Sequence, residues 1–305
     1  MIANFFKKTK PVNIFNIVVL FILFYLTSIF IDDSIEFSFN FLIKKIIFFF
    51  FFFFLIFKFI VKKNKLTKDN SYSLLIAVLI LGTFPAAMFS NTIIFSNIIL
   101  LLSYRKIYSL KSGLDTKRKL FDAAFWIGIA TIVNYWSIFY MLLIYGGVII
   151  YQKGGIKNLT TPIIGLVTPI FIYFTYEFYF DNLTVFYNRF KYDINLDFSA
   201  YNSLKFLIPL LFLVIILVWA ILKVTPKIVS ISNNLKLSWN TILNHLLISV
   251  IIIGLSPNKN GAELFYLVFP SAIIIANFLE NSKSSIFKNV LLYLFLIVSV
   301  SVYFL

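Results

Sequence analysis

Three carboxylates follow the first long apolar run of the chain, in the stretch IFIDDSIEFSF at residues 29–39. Asp32 and Asp33 come directly after the run, and Glu36 is about one helical turn further on. Two carboxylates held close together split their pKa values, so one of them can act as a base or hold a cation. The same residues also suit a solvated hairpin that ends two membrane helices. Both interpretations are open from the sequence.

A second set of polar side chains is spaced at intervals of four in the stretch YFTYEFYFDN. This spacing predicts that Tyr173, Glu177 and Asp181 share one face of a helix, with Glu177 about 6 Å deeper in the membrane than Asp181. An acid inside the hydrocarbon costs about 2.5–3.5 kcal/mol unless it is paired or hydrated. Glu177 is therefore expected to face protein or a water-filled cavity, and snorkelling to the interface is the alternative.

A third set lies in SPNKNGAELFYLVFP, residues 256–270. Lys259 is suited to bind a phosphate from the outer leaflet as a point charge. Glu263 either lines a cavity or favours the N-terminus of the helix that follows it.

The composition places these residues in a membrane protein. Of the 305 residues, 61% are hydrophobic and 13% are charged, and the mean hydropathy is +0.94. A soluble domain would carry about a quarter charged residues. The chain has no cysteine and one histidine, His245, which excludes disulfides, thiolate metal sites and a histidine-rich metal site within one chain.

The apolar runs predict an all-α, polytopic helical membrane protein, a single transmembrane domain over residues 1–305. Residues 181–202 are predicted to form a loop along the outer interface, with some amphipathic helix. Pro85, Pro169 and Pro209 are expected to kink or break their segments. The predicted segments, about eleven in number and some of them short or broken, are 13–31, 41–61, 71–90, 92–104, 120–134, 137–151, 159–180, 203–223, 241–255, 263–279 and 288–305.

The charges orient these segments. With the N-terminus in the cytoplasm, most of the 27 lysines and arginines fall in inner loops, as the positive-inside rule requires. The net charge of +15 is then a topology signal with some attraction to anionic lipid headgroups, and nucleic acid is not an expected partner. Most of the 12 acids fall at the outer side, where the insertion rule does not demand them, so function is expected at the outer face.

Two blocks carry a family resemblance: LSYRKIYSLKSGLDTKRKLFDAAFWIGIATIVNYWSIFYMLLIY and PNKNGAELFYLVFPSAIIIANFLE. They resemble an uncharacterised family of flavobacterial-type polytopic membrane proteins. This resemblance implies a multi-pass protein of the inner membrane and assigns no activity.

A more distant similarity is to GT-C-type membrane glycosyltransferases, which use polyprenyl-phosphate sugars. Those enzymes carry an essential acid just after the first span, where Asp32 and Asp33 stand here. The stretch WIGIAT at 126–131 is similar to their glycine-bearing helix, and Lys259, Tyr266 and Pro270 resemble a late basic–Tyr–Pro pattern. The chain departs from the family in its short length, in the absence of a large outer domain, and in a late basic residue that is not adjacent to the tyrosine.

The GT-C resemblance implies roles for particular residues. Asp32 or Asp33 would be the catalytic base or would orient the acceptor, and Lys259 and Arg189 would bind the phosphate of a polyprenyl-phosphate lipid. A divalent cation, held through oxygen ligands, is the candidate cofactor. The polar cavity, with its cation, would be lined by Glu36, Glu177, Asp181 and Glu263.

Two other functions stay open. The protein is alternatively a non-enzymatic accessory subunit of a cell-envelope assembly, with an exposed aromatic surface in 181–202. A small-molecule transporter is the third hypothesis, which predicts inverted internal halves and acids buried in mid-membrane. Protein partners, substrate and oligomeric state are not determined by the sequence.

Overall fold

The computed structural model describes residues 2–31, 46–47, 49, 57–191, 193–231, 233–257 and 259–305. Over these residues the chain is helical and contains no strand, as the all-α prediction requires. Asp32, Asp33 and Glu36, and most of the predicted segment 41–61, lie outside the described residues. The α-helices are α1 Ile2–Phe6, α2 Pro11–Ile31, α3 Lys58–Lys63, α4 Tyr72–Thr83, α5 Asn91–Tyr108, α6 Thr116–Val133, α7 Met141–Ile150, α8 Ile156–Tyr179, α9 Leu183–Arg189, α10 Leu204–Ile231, α11 Asn233–Leu255, α12 Phe265–Asn281 and α13 Ser285–Ser301.

Six helical segments within the described ranges are long and apolar enough to cross a membrane. They fit the predicted class of polytopic membrane protein, while the count of about eleven segments and the cytoplasmic N-terminus stay predictions. Three further apolar helices are shorter: Tyr72–Thr83, Tyr135–Ile150 and Ser285–Ser301. The six long segments are Pro11–Phe30, Asn91–Ser112, Ile156–Tyr179, Leu204–Ile228, Leu235–Leu255 and Ala262–Asn281.

The prolines act differently at their three positions. Pro85 ends α4, and the chain continues as a short 3₁₀ helix over Pro85–Met88, because proline has no backbone N–H to donate. By contrast, α8 and α10 run without a break through Pro169 and Pro209. Neighbouring helices allow proline within a membrane helix, so the expectation of a break is met only at Pro85.

The chain separates into two compact helical units. The first contains Met1–Ser90, Asp197–Ile231 and Lys259–Leu305. Its centre is the pair α4 and α12, which pack on each other and are buried along almost their whole length. Both helices are apolar on all sides, which is typical of a helix at the centre of a bundle. The surrounding α2, α10 and α13 expose an apolar face, as lipid-facing helices do.

The second unit contains Asn91–Leu196 and Ser232–Asn258. Within it α6 packs closely on both α5 and α8, and α7 packs on α11. His245 of α11 is fully buried, and its Nδ1 shares a hydrogen bond of 3.1 Å with the Tyr108 hydroxyl. The ring of Tyr104 lies 4.3 Å from the imidazole ring. His245 therefore makes an interhelical hydrogen bond of the kind that joins membrane helices.

Candidate functional site

A buried carboxylate lies at the N-terminal end of α12. Glu263 belongs to a 3₁₀ helix over Ala262–Leu264 that leads directly into α12, and the residue is only 1% exposed. Its Oε1 accepts hydrogen bonds from the Gly261 backbone N–H, at 3.2 Å, and from the Tyr201 hydroxyl. Its Oε2 is buried and has no hydrogen-bond partner among the described residues. A buried polar atom is costly to leave unpaired, so Oε2 is expected to meet water, a ligand or a residue outside the described ranges.

Tyr201 reaches Glu263 from a segment that precedes it by about 60 residues. The segment begins at Asp197, whose Oδ1 accepts a hydrogen bond of 2.9 Å from the Ser199 N–H. This bond lowers the pKa of the exposed Asp197 carboxyl. A short 3₁₀ helix over Ser199–Asn202 then presents Tyr201 to Glu263.

A glycine positions this contact. Gly261 has φ of +89°, a backbone conformation that L-residues with a side chain rarely adopt. A Cβ atom at this position would lie 2.5 Å from Cε1 of Phe206, so the aromatic ring packs directly on the glycine. The Phe206 ring in turn meets the Tyr201 ring edge-on at 5.6 Å. Gly261 thus allows the close approach of Phe206 that holds Tyr201 beside Glu263.

Lys259 lies on the same loop as Glu263, four residues earlier, and is 6% exposed. Its ammonium nitrogen lies 5.0 Å from the centroid of the Phe198 ring, which is a cation–π contact. Burial lowers the pKa of the Lys259 ammonium. Two predicted site residues, Lys259 and Glu263, are therefore both buried at the N-terminal end of α12 in the first unit. Tyr266 and Pro270 of the quoted pattern are buried in α12.

The same end of the first unit receives the last turns of α2. The Pro85–Met88 3₁₀ helix contacts both α2 and the Ala262–Leu264 3₁₀ helix. The ring of Tyr25 in α2 is fully buried and lies 6.3 Å from that of Phe89. The end of α2 at Ile31 therefore lies toward the end of the first unit where Glu263 lies.

Glu177 and Arg189 form a separate polar group in the second unit. Glu177 is buried near the end of α8, and the Tyr173 hydroxyl interacts with both its carboxylate and the Arg189 guanidinium. Asp181 is exposed and lies two residues beyond the end of α8, with φ of +55°. The prediction that it shares a helical face with Tyr173 and Glu177 is wrong, because the helix ends at Tyr179 before the spacing of four reaches Asp181.

Helix α9 covers only Leu183–Arg189 of the predicted outer loop 181–202, and the 3₁₀ turn at Ser199–Asn202 follows. Among the described residues no group of three or more histidines or acids is arranged to hold a metal ion. The divalent cation stays a prediction, since Asp32, Asp33 and Glu36 lie outside those residues.

Sequence reasoning missed Tyr201, Phe206 and the role of Gly261. Tyr201 and Phe206 are two of many aromatic residues in the chain, and nothing in their spacing marks them as neighbours of Glu263. The one available signal was the glycine two residues before an acid in NKNGAEL, since glycine in a loop often permits a positive φ.

The family of the chain follows from a match along nearly its full length. Residues 3–305 match a family of unknown function, DUF6427. The chain belongs to the DUF6427 family. No curated protein and no solved structure matches it. Membership of DUF6427 agrees with the expectation of an uncharacterised family and assigns no activity.

Proposed function

We propose that this DUF6427 protein acts at the outer face of the inner membrane as a GT-C-like glycosyltransferase, or a degenerate relative of one, that uses a lipid-linked sugar. The observation that carries the proposal is the buried Glu263 carboxylate, whose Oε2 has no partner among the described residues. Lys259, four residues before Glu263, supplies a cation, and α2 ends at Ile31 at the same end of the unit.

The proposed reaction joins a sugar to a hydroxyl acceptor. The acceptor oxygen attacks the anomeric carbon of a polyprenyl-phosphate sugar, and the bond from that carbon to the phosphate oxygen breaks. Asp32 or Asp33 takes the proton of the acceptor hydroxyl, while Oε2 of Glu263 accepts a hydrogen bond from a sugar or acceptor hydroxyl. Polyprenyl phosphate leaves with its negative charge, for which Lys259 is the proposed cation. The roles predicted for Arg189, Glu177 and Asp181, which lie in the second unit, stay predictions, as does that of Glu36.

The test is release of polyprenyl phosphate by the purified full chain in proteoliposomes. The substrates are a panel of polyprenyl-phosphate hexoses, pentoses and N-acetylhexosamines, each with a mixture of sugar acceptors and with water. We expect Asp32→Asn, Asp33→Asn or both to lower the rate by about 10²-fold or more, because a general base contributes about 10²–10⁴-fold. Glu263→Gln is expected to slow release as well, since the amide cannot replace both carboxylate oxygens as acceptors.

The matched control is Glu280→Gln, near the far end of the same α12 helix, where the carboxylate pairs with Lys68 at 3.1 Å. This variant is expected to keep the wild-type rate. Wild-type activity that persists in Asp32→Asn, Asp33→Asn and Glu263→Gln would remove the proposal. A wild-type chain that releases polyprenyl phosphate from no member of the panel would remove it equally.

A second candidate function, an accessory subunit of a cell-envelope assembly, is favoured by exposed side chains of the second unit. Tyr179 at the end of α8 is 79% exposed, and Tyr187 and Leu196 in the following loop are also exposed. Aromatic residues of this kind are enriched at protein interfaces.

For the accessory function, we expect the wild-type chain to migrate within a larger assembly on native gels of membranes extracted with mild detergent. The double variant Tyr179→Ser and Tyr187→Ser is expected to migrate as the chain alone, because it loses the aromatic contacts. Glu263→Gln serves as the control that leaves the assembly intact. Identical migration of the wild type and the double variant would argue against the accessory role.

A further inference from the structure

A cavity of about 370 Å³ lies in the first unit at the C-terminal end of α12. α12 is 17 residues long, so the cavity is about 25 Å from Glu263 along the helix axis. Its walls are the C-terminal half of α10, the end of α12, the linker 282–284 and the first turn of α13. By the positive-inside assignment, this is the cytoplasmic end of the unit.

The cavity is basic. Lys223, Lys227 and Lys283 line it, and none of its lining residues is acidic. The ammonium group of Lys227 donates a hydrogen bond of 3.1 Å to the Asn281 carbonyl, which fixes this lysine against the end of α12. Lys223 and Lys283 have exposed side chains that are available to a ligand. Three positive charges without an acid favour an anionic occupant.

The start of α13 adds to the positive electrostatic potential at the cavity. The Ser284 Oγ accepts a hydrogen bond of 3.2 Å from the Phe287 N–H and caps this 17-residue helix. The first turn of a helix carries a partial positive charge and other N–H groups that point out of its end. The helix terminus and the lysines therefore both favour an anion in this cavity.

An aromatic wall makes the cavity amphipathic. The rings of Trp219, Phe278 and Phe287 form a cluster, with centroids 5.6 Å apart for Trp219–Phe278, 5.2 Å for Trp219–Phe287 and 5.5 Å for Phe278–Phe287. Trp219 is 44% exposed, although tryptophan is costly to leave in water. Tryptophan is enriched where membrane helices cross the headgroup region, with one side apolar and the other wet. A ligand here meets lysines on one side and an apolar surface on the other.

A cavity in the second unit differs from it in charge. It measures about 420 Å³ and lies in the second unit, where Arg105, Lys106 and Asp122 line it. Asp122 forms an ion pair of 2.5 Å with Lys106, which neutralises one of the two cations. The first-unit cavity keeps three lysines without an opposing acid.

We propose that the first-unit cavity binds the headgroup of an anionic phospholipid from the cytoplasmic leaflet. Lys223 and Lys283 bind the phosphate, and the end of α13 faces it. An acyl chain leaves along Trp219 and Phe287. A volume of about 370 Å³ is in the range of small-molecule sites and suits a glycerophosphate headgroup. Basic pockets between membrane helices on the cytoplasmic side are the usual site for such headgroups.

The test uses the purified full chain and phosphatidylglycerol with bromine atoms on its acyl chains, which quench nearby tryptophan fluorescence. We expect quenching at a low mole fraction of this lipid and none with brominated phosphatidylcholine. The triple variant Lys223→Gln, Lys227→Gln and Lys283→Gln is expected to weaken binding about 100-fold, since each lysine near an anionic lipid contributes about fivefold. Trp219→Phe is expected to remove the saturable part of the quenching.

The matched control is a triple variant with the same loss of charge on exposed lysines that do not line the cavity: Lys117→Gln, Lys157→Gln and Lys236→Gln. We expect it to bind as the wild type does. Equal weakening in both triples would show a general attraction to the membrane surface and overturn the site. Competition by millimolar inorganic phosphate would overturn the lipid as the occupant.

The single variant Lys283→Gln, in the linker, is expected to weaken binding about fivefold and serves if the triple variant does not fold. Unchanged binding in that variant, or saturable quenching that persists in Trp219→Phe, would also overturn the proposal.

Discussion

Replacing Gly165 with alanine is expected to lower the free energy of unfolding by about 1–3 kcal/mol, which is the usual range for an overpacked contact. Gly165 lies where α8 packs on α6. A Cβ atom added to it would be 2.6 Å from the Phe121 carbonyl oxygen and 3.0 Å from the Ala124 Cβ. One of these atoms is a backbone oxygen and the other is a Cβ, so neither can move away by a side-chain rotation. The two helices must move apart instead.

Gly128 of α6 makes the reciprocal contact. Its added Cβ would lie 2.5 Å from Pro169 Cγ and 2.7 Å from the Leu166 carbonyl oxygen. Small residues at such positions let membrane helices approach closely, and close packing is what holds helices together in lipid. We expect Gly128→Ala to cost a similar amount and the double variant with Gly165→Ala to cost less than the sum, because the first change already separates the helices.

The control for both variants is Gly254→Ala in α11, where an added Cβ meets nothing within 4 Å. Alanine is the better helix former by about 1 kcal/mol, so this variant is expected to be neutral or more stable than the wild type. Unfolding is measured by titration with SDS in mixed micelles, followed by the tryptophan fluorescence of the chain. The same effect of alanine at positions 165 and 254 would contradict the packing role of Gly165.

Gly261→Ala is the second change with a large expected effect, and it acts on the candidate site. The left-handed conformation costs an alanine about 1–2 kcal/mol. The added Cβ would also lie 2.5 Å from the Phe206 ring, which must shift and take Tyr201 with it. We expect a loss of about 2–4 kcal/mol in the free energy of unfolding together with loss of the hydrogen bond from Tyr201 to Glu263.

Two further variants separate strain from the loss of this hydrogen bond. Gly154→Ala meets nothing within 4 Å and has no left-handed backbone, so its stability should match the wild type. Tyr201→Phe removes only the hydroxyl. The ultraviolet absorption difference between the wild type and Tyr201→Phe identifies the tyrosine bonded to the carboxylate, and Gly261→Ala should lose this signal. A stable Gly261→Ala variant that keeps the signal would show that Phe206 does not position Tyr201.

The packing of Gly128 bears on the resemblance in WIGIAT. The glycine that prompted the comparison with the GT-C helix has a structural reason of its own, since Pro169 and Leu166 leave no room for a side chain there. The proposed transferase activity therefore depends on Asp32, Asp33 and Glu263 and gains nothing from this glycine.

Long apolar runs, a low fraction of charge and the distribution of lysine determined the class of this protein from its sequence. A backbone in lipid must satisfy its own hydrogen bonds, so such runs have to be helical, and the predicted segments that fall on described residues are helices. The break at Pro85 could also be predicted, because the missing N–H of proline is a local property of the chain. Other helix ends could not be predicted in this way. α8 ends at Tyr179, and the spacing of Tyr173, Glu177 and Asp181 did not reveal this.

Only the tertiary structure decided which side chains meet. Helices that are apolar on all sides, such as α4 and α12, carry no periodic signal to say which face contacts which neighbour. Tyr201 meets Glu263 across about 60 residues of chain, and Lys223 and Lys283, which are as far apart in sequence, line one cavity. These contacts depend on the order in which helices pack and on glycines that permit close approach, which are properties of the folded molecule and not of any local stretch of sequence.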